Sequence, residues 1–72
     1  MKYIVLEIQT NANDEVATLL TAYNERSAAE NKYYTILAAA ALSELPVHSA
    51  IILTNLGTIV KSETFNRIPE TE

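Results

Sequence analysis

Seventy-two residues, 49% of them apolar, with a formal net charge of −4, make one domain at most and do not fit the profile of a disordered chain. There is no cysteine and His48 is the single histidine, so disulfides are excluded and a structural zinc site has no thiolate to use. The five basic residues, Lys2, Arg26, Lys32, Lys61 and Arg67, are scattered with no aromatic-basic stripe joining them, which argues against nucleic acid as a partner.

The chain begins with an alternating segment. From Tyr3 to Gln9, Ile4, Leu6 and Ile8 share one face, while Tyr3, Val5, Glu7 and Gln9 share the other. That pattern predicts a strand buried on its isoleucine-leucine side. Glu7 and Gln9 also break the apolar stretch that a secretory signal would need, and no run approaches the length of a membrane span. A soluble, cytoplasmic protein without a membrane partner is the expectation. Asn11-Ala12-Asn13-Asp14 is turn chemistry. Val16 to Tyr23 reads as a second strand, with Leu19 and Tyr23 on one side and Val16 and Leu20 on the other.

A long alanine-rich helix is expected over Asn24 to Glu44, with Asn24 as N-cap, Ser27 and Glu30 as an alternative capping box, and Pro46 disfavouring helical geometry at Leu45. Val47 to Asn55 reads as a third strand. Asn55-Leu56-Gly57 fits a hairpin loop in which Gly57 takes positive φ, and Thr58 to Phe65 reads as the fourth strand. The reading is a single ββαββ domain over 1–66 and a frayed acidic tail over 67–72. A helix joining strands two and three crosses one face of the sheet, which favours strands one and three in the centre and the order 2-1-3-4, all antiparallel. The fold class is α+β, a two-layer sandwich with one sheet face open.

The helix has two stripes. At about 3.6 residues per turn, Ala29, Tyr33, Ile36, Leu37 and Ala40 fall on the side that should meet the sheet. Tyr34, Ala38, Ala41, Leu42 and Leu45 fall roughly opposite. Exposed alanine costs little and is the best helix former, so propensity alone could account for the alanines. Tyr34, Leu42 and Leu45 join them in one patch, and that patch is the candidate interface for a homodimer or a higher homo-oligomer. A domain of this size rarely draws more than roughly 3–5 kcal/mol from its own core, and without disulfides or zinc, oligomerisation is the usual remaining support.

No constellation of catalytic residues emerges. His48 is followed by Ser49, but neighbours on a strand point to opposite faces and cannot form an activating hydrogen bond. His48 is expected on the open sheet face. Glu7 and Glu63 lie on strands that are not neighbours in the expected order, and both read as solvated. The one glycine, Gly57, cannot build a phosphate cradle. Among the tyrosines, Tyr3 is expected beside Val5 on the open face, and Tyr3 and Tyr34 are the candidate contact residues. No catalytic residue, metal ligand or cofactor is expected.

Three strings, Met1-Lys2-Tyr3-Ile4-Val5-Leu6-Glu7-Ile8-Gln9-Thr10, Asn31-Lys32-Tyr33-Tyr34-Thr35-Ile36-Leu37-Ala38-Ala39-Ala40-Ala41 and Pro46-Val47-His48-Ser49-Ala50, carry a resemblance. The chain resembles a family of very short proteins encoded in phages and prophages of Gram-positive gut bacteria, over most of Met1 to Phe65. The resemblance implies a phage-derived accessory protein made inside a bacterium and carries over no catalytic or binding residue. The leading expectation is a non-enzymatic, homo-oligomeric interaction or structural protein that docks on a phage or host protein. The alternatives are a binder of a small molecule or signalling nucleotide, and an inhibitor of a host defence system.

Overall fold

The elements run β1 (Tyr3–Thr10), β2 (Val16–Tyr23), α1 (Arg26–Leu42), β3 (Val47–Thr54) and β4 (Ile59–Asn66) in a computed structural model that describes residues 1–68. The four strands form one antiparallel sheet in the order β2-β1-β3-β4. The expected ββαββ sandwich is therefore the observed architecture. Because β2 and β3 flank β1, the connection between them must cross the sheet, and α1 lies chiefly over β3 and β1.

Local chemistry explains the corners. In the β1–β2 turn, the Asn11 Oδ1 accepts hydrogen bonds from the amides of Asn13 at 2.9 Å and Glu15 at 3.0 Å. Asp14 takes φ 62, a left-handed conformation that Asp tolerates better than most residues. In the β3–β4 hairpin, Gly57 has φ 85 as expected, and the Thr54 hydroxyl accepts from the amides of Leu56 and Thr58. Pairing slips between Ile52 and Leu53, so Val60 is an extra residue on β4 and packs against the core.

The helix is shorter than its sequence signal. Strand β2 stays paired to β1 as far as Tyr23, so Asn24 is used in turning away from the sheet. Glu25 is the N-cap instead, with no side-chain capping bond. At the other end, Ser43 is already extended, and its hydroxyl accepts from the Leu45 amide, so the helix stops at Leu42 rather than Glu44.

Arg67 was expected in a frayed tail and is instead tied down. Its guanidinium donates to the carbonyls of Ala40 at 2.6 Å, Ala41 at 3.4 Å and Leu45 at 3.2 Å, and its amide donates to Pro46 O at 2.7 Å. A cation at the helix C-terminus satisfies orphan carbonyls and suits the dipole. The rest of the expected tail, 69–72, lies outside the described residues. An Arg67→Ala variant should lose about 1 kcal/mol, which for a domain of this size lowers the melting temperature by about 4–8 °C. An unchanged melting curve by circular dichroism would contradict this role.

The core lies on the side of β1 opposite to the expected one. Val5 is 1% exposed and Ile52 is 0% exposed, and these two residues pair across β1 and β3. They meet Ala29, Tyr33 and Ile36 of the helix together with Ala50. Tyr3, Tyr23 and Leu37 pack around this cluster. Ile4, Leu6 and Ile8 are on the uncovered face and only half-buried. Alternation divides a strand into two faces, but the side that the crossover covers decides which face becomes core. Here the helix underside, with Ala29 and Ala40 fully buried, rests on the less apolar of the two.

Candidate functional site

Strand registry places two unlike surfaces back to back. Residues opposite one another in an antiparallel pair point the same way. On the uncovered face, β1 contributes Ile4, Leu6 and Ile8, and β2 contributes Val16, Thr18, Leu20 and Ala22. Strand β3 adds Val47, Ser49, Ile51 and Leu53, and β4 adds Ile59, Ser62 and Thr64. Among the described residues, every charge carried by a strand sits on the helix side: Glu7, Lys61 and Glu63 pair there with Leu19, Ile52 and Ala50. Among the described residues, the strands therefore make the open face aliphatic with small polar side chains and bring no charge to it. Leu20 is 67% exposed on it, and Val16 and Ile59 are exposed as well.

Beneath the helix lies a buried polar cluster that the sequence reading did not find. His48 is 3% exposed, and its Nε2 is 2.6 Å from Glu7 Oε2, which also accepts from Gln9 Nε2 at 2.8 Å. Both expectations for these residues are overturned. His48 is not on the open face, and Glu7 is not solvated, because the helix covers the odd-numbered side of β1. Burial pushes the Glu7 carboxyl up, but hydrogen bonds from Gln9 and His48, with the nearby His48 and Lys32, outweigh it and hold the group below the ordinary carboxylate value. The His48 Nδ1 has no hydrogen-bond partner among the described residues.

Among the described residues, the hydrogen bonds join this pair to Gln9 and to no nucleophile. Ser49 faces away from His48, and its hydroxyl donates to Thr64 Oγ1 at 3.1 Å. The hollow beside Glu7, lined by Leu19, Lys32 and Ile36, is about 140 Å³, well below the usual size of a ligand pocket. A larger hollow of about 400 Å³ lies between Asn11, Asp14, Glu44 and Arg67. It is open to solvent, and the guanidinium beside it is already committed to helix carbonyls. No cluster of three or more potential metal ligands occurs among the described residues.

Four residues of the second stripe lie on the helix, whereas Leu45 falls beyond its end at Leu42, and the stripe is a thinner surface than the sheet offers. Tyr34, Ala38, Ala41 and Leu42 are exposed, Leu42 at 88%, and Leu45 is half-buried. Tyr34 is occupied within the chain: its hydroxyl accepts from Lys61 Nζ at 2.6 Å, and its ring stands edge-on to Tyr33 with centroids 5.2 Å apart. Lys61 also lies 3.5 Å from Glu30, so the group ties α1 to β4. Tyr3, expected as an open-face contact residue, packs around the core instead. Apart from Tyr34 and Leu42, the exposed stripe is alanine. One sequence signal could have exposed the sheet surface: once the strand order is known, Glu7, Lys61 and Glu63 fall on one side.

No helix among the described residues is long and apolar enough to cross a membrane. Comparison with protein-family models, with curated proteins and with solved structures returns no match.

Proposed function

We propose that this chain is a non-enzymatic interaction module whose working surface is the open face of its sheet. The observation that carries the reading is the segregation of charge. All strand charges stand on the helix side, and the other face presents branched aliphatics edged by hydroxyls. Contiguous apolar surface of this kind marks sites of protein contact rather than solvated surface. The resemblance described above adds a setting, a phage or prophage accessory protein acting in a bacterial cytoplasm, where a module of this type docks on a phage or host protein.

The competing reading is a binder of metabolites or signalling nucleotides. A melting-temperature screen against nucleotides and common metabolites separates the two, because a ligand that binds only the folded chain raises its melting point. The interaction reading expects no rise. A rise of several degrees that disappears when Lys32 or Arg67 is replaced by alanine would overturn it and favour a ligand site in one of the two hollows.

A further inference from the structure

We infer that the occupant of the open sheet face is a second copy of this chain, the two sheets stacking face to face about a two-fold axis. The inference rests on the interaction reading above and names its partner.

Need comes first. Among the described residues the buried apolar core is Val5, Tyr33, Ile36 and Ile52 with three alanines, and the chain has no disulfide to supplement so small a core. A domain of this size then relies on association for further stability. A second copy is the one partner that supplies it to every molecule at all times. With a foreign partner, each free chain would carry an apolar patch of a size that promotes aggregation.

Area and charge point the same way. Four strands of eight residues each span about 19 by 27 Å, roughly 500 Å² of flat surface per copy. Two copies thus bury roughly 1,000 Å² before side-chain relief is added, the floor for a specific interface, and relief adds to it. Each copy has a net charge of −4, so two copies repel unless they meet where no carboxylate stands. The open face meets that condition. Its centre is also suited to self-pairing: Leu6 lies beside Ile51 in the register, and a two-fold brings these two against their equivalents. Aligned sheets pack in this way about 10 Å apart. The helical stripe offers less, because Tyr34 is engaged by Lys61 and most of the remainder is alanine.

Sedimentation equilibrium on the full chain tests the inference. The wild type should show twice the 8.0 kDa chain mass. Leu6→Lys, and Leu20→Lys at an already exposed position that tolerates a charge without disturbing the fold, should weaken association at least about a hundredfold while keeping the circular dichroism of the native sheet. Ala41→Glu, on the outer helix, should remain a dimer. Dissociation by Ala41→Glu with both sheet variants still dimeric would overturn the inference. A wild-type monomer would also overturn it. If that monomer binds a hydrophobic dye through a site lost in Leu20→Lys, the interaction reading survives with a different partner. If it binds none, both fail.

Discussion

An Ile52→Ala variant is expected to be largely unfolded at room temperature, while Ile51→Ala keeps its fold. The two isoleucines are neighbours on β3, but Ile52 sits against Val5 and the helix, whereas Ile51 faces outward. Truncating a buried isoleucine removes about 2–5 kcal/mol, through lost transfer energy and the cavity left behind. A core of this size provides roughly 3–5 kcal/mol in total, so the loss is comparable to the whole margin. On the proposed sheet-to-sheet pairing, the cost at Ile51 is to association. Its unfolding midpoint should match the wild-type value at protein concentrations low enough to dissociate both chains and fall below it as concentration rises and the wild type associates. Urea unfolding followed by circular dichroism checks both. Equal destabilisation of the two variants, independent of concentration, would mean that the helix does not discriminate between the faces.

The second large effect concerns the pair beneath the helix. Replacing His48 by alanine should cost about 1–3 kcal/mol, because Glu7 keeps only Gln9 as a side-chain donor in a largely buried position. The double variant Glu7→Leu/His48→Phe should be neutral or more stable than the wild type. It removes two polar groups that burial penalises, together with the unpartnered Nδ1, and fills the same space. The pair also has a pH signature. The Glu7 carboxyl is depressed below its unfolded value of 4.5, so its contribution is fully present above that value and is lost as pH falls through the folded one. Urea midpoints at neutral pH and in acid should therefore converge for the double variant more than for the wild type. A double variant as unstable as His48→Ala would show that the cluster is needed for more than filling space.

Much of the fold was legible in the sequence, because its signals are local. Alternation marked β1, Asn11 to Asp14 and Gly57 marked the tight turns, and helical spacing identified Ala29, Tyr33, Ile36 and Ala40 as the buried stripe. The strand order followed from connectivity, since a helix between β2 and β3 leaves little choice about which strands are central. What could not be read was the side of the sheet that the helix covers, and three misreadings share that origin. Alternation points to Ile4, Leu6 and Ile8 as core, to Tyr3 and Val5 as open face, and to His48 and Glu7 as solvated groups, and the structure reverses all three. The usual inference that the more apolar face is buried within the chain fails here because the helix crosses over the other face, the side of Val5 and Ile52. The anchoring role of Arg67 was hidden for a related reason: its partners, Ala40, Ala41 and Leu45, are distant in sequence and are backbone carbonyls that no residue type advertises.

The central claim is that the uncharged side of the sheet meets its own copy. Isotope-filtered nuclear Overhauser spectroscopy on an equal mixture of carbon-13-labelled and unlabelled chains tests it at the atoms concerned. The account predicts intermolecular cross-peaks among the methyl groups of Leu6, Leu20, Ile51 and Leu53. Cross-peaks confined to Ala38, Ala41 and Leu42, or none in a sample of folded protein at high concentration, would contradict it.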